Sequence, residues 1–375
     1  MYVMFVARGY PTEKYKLNGI FEFDQAKALA ALGCKVVYAV IDVRSARRWR
    51  KWGYEFKKKD NVYIHAINIP WGPIGGQMRR KVGTLGANWL YDKICTIHGT
   101  PDILHGHFTG SAYIALKLSE RTGVPLVVTE HSSKINEPNI EPGLFQRARE
   151  AYSKAKAVIA VSPTLAKRID EHFGIQAIYI PNIVDVDIFK HKRKNGVSDN
   201  FGIISTGNLI KTKRMDLTIA AFAQTFKTDP TATLTIFGDG PERRGLEQQI
   251  SGLGMSDRIR LAGLRPRWEI ADALSNSHCF VLASQTETFG VAYIEALASG
   301  VPVIATRCGG PEVFVTEENG ILVDVDDINQ LSSAMQYMFK HSNAYDREII
   351  AYHTKKRFSP TAVAEQIRQL YREII

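Results

Sequence analysis

Short apolar runs alternate with stretches of helical period along almost the whole chain, the pattern of a parallel sheet with helices on both faces. In the first half, residues 2–7 (YVMFVA), 35–40, 103–107, 126–131 and 157–162 read as strands. A helix is expected over 21–33, with Gly33 at its C-terminal cap. From 181 to 200 the sequence is charged and without apolar period, and it reads as a linker. The alternation then restarts, with strands over 201–207, 232–238, 258–263, 279–284 and 301–306 and helices over 215–226, 268–276 and 291–300. Ser359 and Pro360 form a cap and first-turn pair for a final helix, 361–375. The fold class is therefore α/β, with two Rossmann-like doubly wound domains facing a cleft. The expected division is 1–185, 186–358, and a helical tail 359–375 that packs back on the first domain. Ligands of such sheets bind beyond the carboxyl ends of the strands, so the loops there are where chemistry is sought.

A length of 375 residues agrees with two domains, and 45% hydrophobic with 23% charged residues is an ordinary globular balance. Cys34, Cys95, Cys279 and Cys308 are scattered and form no metal-like cluster, which suits a reducing compartment. The opening apolar run is too short for a signal peptide, and no run reaches the ~18 apolar residues of a membrane span. A cytoplasmic location is expected, peripheral on the inner face of the cell membrane if the surface binds lipid. The net charge of +10 favours phosphorylated ligands or anionic lipid. No nucleic-acid-binding signature accompanies it, and no nucleic-acid partner is expected. Residues 44–60 pack eight Arg and Lys residues with Trp49, Trp52, Tyr54 and Phe56, and 72–83 adds a second basic segment that reads as flexible. Cations with interfacial aromatics suit an anionic membrane surface, and a solvated loop is the competing reading.

The densest chemical signal is SQTETFGVAYIEALASGVPVIATRCGG, 284–310. A strand ends, Glu287 follows in a polar loop, and Gly290 turns the backbone into a helix whose first N–H groups suit a diphosphate. Glu295 lies one turn inside that helix. By spacing alone the two glutamates read either as sugar and ribose contacts or as solvent-facing residues around a helix cap. The loop TGNLIKTKR (206–214) also links a strand to a helix and projects Lys211, Lys213 and Arg214. GDGPER (238–243) lacks the third glycine of a dinucleotide fingerprint, and no P-loop occurs. DVD (185–187) and DVDD (324–327) read as structural turns, so no metal site is expected.

The segments PNIVDVDIF, ISTGNLIKTKRMDLTIAAF, LTIFGDGPERRGLE, IRLAGL, EALASGVPVIAT, GGPEVF and NGILV in that order, with the E-x7-E spacing of Glu287 and Glu295, resemble the retaining glycosyltransferases of family 4. The resemblance spans nearly the whole chain. It implies the GT-B fold, a hexosyltransferase-type activity, a nucleotide diphosphate sugar as donor (UDP over GDP), and no cofactor or catalytic metal. It places the transferred-sugar contact on Glu287 and the ribose contact on Glu295, with backbone contacts from Phe289, Gly290 and Val291. Lys213 matches the lysine that neutralises the diphosphate leaving group, a task for which a fixed cation is suited. Asn208 stands where many relatives carry an Arg, which weakens the second half of that clamp. Gly19 matches a glycine that closes over the donor phosphates, and His131 a histidine beside the reacting sugar. Glu130 is expected on the opposite side of its strand, and His105 and His107 as structural. The acceptor implied is a glycan or lipid-linked molecule of surface-polysaccharide synthesis. The competing functions are a nucleotide-sugar epimerase of the same architecture and a non-catalytic nucleotide-sugar binding protein.

Overall fold

The computed structural model describes residues 1–375 apart from 13–14, 16–17, 48–50, 73–74 and 192–199. Arg48, Trp49 and Arg50 of the basic stretch, and 192–199 of the expected linker, therefore lie outside the described residues. The chain forms two compact units, Met1–Ile183 with Pro360–Ile375, and Val184–Ser359.

The first unit contains strands β1 (Tyr2–Ala7), β2 (Lys35–Ser45), β3 (Gly53–Lys59), β4 (Val62–Trp71), β5 (Ile103–His107), β6 (Leu126–Glu130), β7 (Ala157–Ala160) and β8 (Ile178–Tyr179). Its helices are α1 (Ile20–Ala31), α2 (Gly76–His98), α3 (Phe108–Thr122), α4 (Ser133–Asn136), α5 (Pro142–Lys154) and α6 (Pro163–Phe173). The sheet order is β3-β4-β2-β1-β5-β6-β7-β8, parallel except for the β3–β4 pair. Central strands are covered on both faces, which is why β1 and the first part of β2 read as continuous apolar runs. Val3 sits in register between Val36 and Ile103.

The second unit contains β9 (Gly202–Thr206), α7 (Met215–Thr225), β10 (Thr233–Phe237), α8 (Arg243–Gly252), β11 (Ile259–Gly263), α9 (Arg267–Ser275), β12 (Cys279–Leu282), α10 (Val291–Ala298), β13 (Val303–Thr306), β14 (Gly320–Val323), α11 (Ile328–His341) and α12 (Arg347–Phe358). Its sheet is parallel, in the order β11-β10-β9-β12-β13-β14. The last helix, α13 (Pro360–Ile374), belongs to the first unit. It buries Val363, Ala364, Ile367, Leu370 and Tyr371 in the same core as Phe23, Ala26 and Leu29 of α1.

Three sequence expectations are corrected. Of the segment 72–83, residues 73–74 lie outside the described residues, and 76–83 are not a flexible stretch, because helix α2 begins at Gly76. Its Gly86 carries no Cβ, which lets the helix lie close against Ile67 and Ile69 of β4 and Ile41 of β2. The competing reading of the basic stretch 44–60 as a solvated loop does not hold throughout: the stretch contains the end of β2 and all of β3, an antiparallel edge strand whose Lys57, Lys58 and Lys59 are exposed. Edge strands rich in lysine resist pairing with other chains, and the charges hide the apolar alternation that marks a strand. The expected linker is packed at its start, where Ile183, Val184 and Phe189 are buried in irregular backbone that no periodicity reveals.

Candidate active site

In the second unit the chain steps outward from β9 through β10 to β11 on one side, and from β12 through β13 to β14 on the other. The loops leaving β9 and β12 therefore rise together at the reversal point, where open α/β sheets bind ligands. Both loops are pinned. Gly238, after β10, has φ of 137°, and a Cβ there would lie 1.8 Å from the carbonyl oxygen of Gly207. Gly240 likewise packs on the carbonyl of Leu209. GDGPER thus acts as a backbone platform for the β9 loop, which only glycine permits.

On that platform a 3-10 turn, Lys211–Lys213, aims Lys213 at the β12 loop. Lys213 Nζ donates to Glu287 Oε1 at 2.5 Å, and Ser284 Oγ donates to the same oxygen at 2.8 Å. The Glu287 backbone is held by Gly309 in a parallel bridge and by an N–H bond to the Cys308 carbonyl. The two charged side chains are only 21% and 10% exposed, so bulk water screens their attraction weakly. Arg214 bridges Asp216 and Asp326, while Lys211 is exposed beside it. Asn208 is exposed in the same loop.

Gly290 adopts a left-handed conformation, φ 95°, and no side chain caps α10. A Cβ at Gly290 would meet the Tyr293 ring at 2.7 Å, so the turn depends on glycine. The Phe289 side chain is buried against Phe314 and Phe358, which leaves only its backbone for a ligand. Val291 opens the helix, and one turn on Glu295 Oε1 accepts from Arg267 at 3.0 Å. Arg267 comes from the first turn of α9 and also lies over the Phe189 ring. The structure thus brings Lys213 to Glu287 and places Phe289, Gly290, Val291 and Glu295 in sequence along one helix start. A cavity of about 400 Å³ lies beside the β9 loop, lined by Leu209, Lys211, Arg214, Met215, Glu242 and Gln285 among others; Glu287, Glu295 and Lys213 are not among its lining residues.

The first unit has its own reversal, between β1 and β5. Gly19 is left-handed (φ 70°) just before α1, and its missing Cβ accommodates the carbonyl of Gly9 at close range. Tyr38 Oη donates to that same Gly9 carbonyl. His131 follows β6 directly and is 8% exposed. Its Nδ1 faces Asn182 Oδ1 at 3.0 Å, its Nε2 faces His107 Nδ1 at 3.2 Å, and Phe108 and Phe21 flank its ring. Burial pushes its pKa down to about 3, the charge of Arg8 adds to that lowering, and the Asn182 bond opposes it. Glu130 is fully buried and accepts from Thr109, Tyr152 and the backbone N–H groups of His131 and Ser132, so it braces the strand end. His105 is held by Tyr371 and Thr129.

Sequence reasoning missed Arg267 and Asn182, and it read His107 as structural without its bond to His131. Arg267 lies outside the matched motifs, and only the fold brings it to Glu295. His107 alternates with His105 along one strand, a signal that does not reveal its bond to a residue 24 positions away.

The family described as Glycosyl transferases group 1 matches residues 187–370, and Glycosyltransferase Family 4 matches 23–188. The chain is 30% identical over 295 residues to N-acetyl-alpha-D-glucosaminyl L-malate synthase of Bacillus anthracis, covering 73% of this chain and 75% of that protein. It is 24% identical over 372 residues to the putative teichuronic acid biosynthesis glycosyltransferase TuaC of Bacillus subtilis, covering 93% and 92%. Anabaena HepE in complex with UDP-glucose has the same fold, with a TM-score of 0.76, 19% identity and complete coverage of both chains.

Proposed function

The chain belongs to the glycosyl transferases of group 1 and has the GT-B fold, and from this premise we propose that it is a retaining hexosyltransferase. It moves a sugar from a nucleotide diphosphate sugar, UDP favoured over GDP, to a glycan or lipid-linked acceptor in polysaccharide or glycoconjugate synthesis. The UDP-glucose of HepE supports the donor, and the teichuronic acid role in the name of TuaC supports the pathway class.

The observation that carries this reading is the Lys213–Glu287 pair at the β9/β12 reversal, next to the uncapped start of α10. In the proposed reaction Lys213 and the N–H groups at Gly290 and Val291 receive the diphosphate. The positive end of the helix and a fixed ammonium lower the cost of the charge that develops on the leaving phosphate. No metal is required for this neutralisation. Glu287 contacts the transferred sugar through the loop that Ser284 and Gly309 hold rigid. Glu295, oriented by Arg267, takes the ribose hydroxyls. Gly19 offers backbone to the donor phosphates. His131, neutral and engaged at both ring nitrogens, orients a substrate and exchanges no proton at neutral pH. The acceptor hydroxyl attacks from the leaving-group face, and the departing phosphate takes its proton.

A membrane-surface contact through 44–60, placing the enzyme on the inner face of the cell membrane, is part of this proposal. Besides the lysines of β3 it is supported by exposed Phe56 and by Met78, Leu85 and Trp89 on α2. No described helix is long and apolar enough to cross a membrane.

The test is a binding screen of UDP- and GDP-sugars, followed by NMR of the best donor with membrane extract as acceptor. An axially linked product from an axially linked donor supports retention. Inverted product, epimerisation of the donor without acceptor, or binding without turnover each overturns the proposal.

A further inference from the structure

At the β1/β5 reversal of the first unit stands a guanidinium that none of the matched motifs includes. Arg8 follows β1 directly, and its side chain is 52% exposed. Its Nε donates to Glu22 Oε1 at 3.2 Å, and its guanidinium lies 3.8 Å from the centre of the Phe108 ring. Phe108 is the first residue after β5, and the His131 ring lies 4.8 Å from it on centroids. Arg8, Phe108 and His131 therefore line the carboxyl ends of β1, β5 and β6.

Two local costs hold Arg8 there. Glu22 is a fully buried carboxylate in the first turn of α1, and its second oxygen has no partner among the described residues. Burial raises its pKa, and the charge of Arg8 counters the rise. A buried ion pair of this kind is weak support for stability, since desolvation offsets the attraction. Phe108 has φ of 60°, a left-handed conformation that costs a bulky residue about 1–3 kcal/mol. Strain of this sort persists where the surroundings impose it, and here both features position one cation. The terminal nitrogens of Arg8 have no partner among the described residues. They form a planar fork matched to carboxylate and phosphate oxygens.

We propose that Arg8, positioned by Glu22 and Phe108, binds an acidic group, carboxylate or phosphate, on the acceptor. The inference rests on the transferase reading above and names the acceptor's chemical class within it: the acceptor is an anion, held by the first unit through a guanidinium fork. An arginine on a ring face, backed by a carboxylate, loses little freedom on binding, so the fork contributes to specificity as well as affinity.

Calorimetry on the whole protein, with UDP present at saturation, tests this with glycerol 3-phosphate, L-malate and inorganic phosphate as anionic probes and glycerol as the neutral one. The proteins are wild type, Arg8→Lys, Arg8→Gln, and Arg8→Gln with Glu22→Gln, the last leaving no unpaired buried charge. Wild type is expected to bind at least one anionic probe. Both glutamine variants should bind it at least tenfold more weakly, and Arg8→Lys should lie between. UDP affinity should stay within twofold throughout. The assignment is overturned if wild type binds UDP but none of the anions, or if the double variant binds the anions as wild type does. A tenfold loss of UDP affinity on removing Arg8 also overturns it, because the fork then meets the donor. Failure of wild type to bind any nucleotide or nucleotide sugar would instead count against the transferase reading itself.

Discussion

Replacing either member of the Lys213–Glu287 pair should move nucleotide affinity in opposite directions. At 2.5 Å the attraction is about 6–7 kcal/mol with an effective dielectric of ~20 and under about 2 kcal/mol in bulk water. Exposures of 21% and 10% put the pair between these limits, and desolvation removes much of the gain, so about 2 kcal/mol of coupling is expected. Glu287 thus competes with a diphosphate for the charge on Lys213. Glu287→Gln should tighten UDP by about fivefold, roughly 1 kcal/mol, because the ammonium is no longer neutralised within the protein. The same variant should lose turnover by about tenfold to a hundredfold, the worth of one hydrogen bond to a charged group. Lys213→Met should weaken UDP by about thirtyfold, roughly 2 kcal/mol. Calorimetry with UDP and initial rates with the best donor measure both effects, and urea melts report whether each variant is folded. Equal weakening of UDP by the two substitutions, or no change in either, would refute the reasoning.

Other expectations follow from geometry and burial. Gly238→Ala drives a Cβ into the Gly207 carbonyl, so it should lower the stability of the second unit by more than about 3 kcal/mol, read as an early urea transition. His105 and His131 both have pKa values lowered to about 3, so the unfolded chain takes up their protons first as pH falls below about 6.5. Stability should drop from pH 6.5 toward pH 4 by up to about 3 kcal/mol per pH unit from these two residues, and His105→Gln should flatten that slope. Turnover, if lysine and helix dipole alone neutralise the diphosphate, should survive EDTA within twofold; a tenfold loss restored by magnesium or manganese would reject the metal-free mechanism. At low salt the protein should sediment with anionic but not neutral liposomes, and Trp89→Ser with Phe56→Ser should reduce the sedimented fraction. Equal binding to both liposomes, or to neither, would reject the membrane surface.

The alternation of strands and helices was legible because buried parallel strands are nearly pure apolar runs: residues 2–7 and 103–107 match β1 and β5. It failed where burial and apolarity part company. In β4, His65 and Asn68 are buried yet polar, and they interrupt the run. In β3 the lysines outnumber the aromatics, and α2 begins among glycines and arginines that resemble a loop. Within the candidate site, the E-x7-E spacing and the lysine loop were visible as short-range pattern. The partners that fix them were not, since Lys213 meets Glu287 across 74 residues and His131 meets Asn182 across 51. Such contacts are set by strand order, which local periodicity does not encode.

Because α13 returns to cover α1, the first unit is built from the two ends of the described chain. During synthesis the side of α1 that α13 covers, and the place that Tyr371 fills beside His105, stay open while the whole second unit is being made. The early segment must therefore wait, part-folded and adhesive, for residues beyond Pro360 to emerge. A nonsense mutation just before Pro360 would spare every residue assigned a role in the reaction, yet leave a protein that chaperones hold and proteases clear.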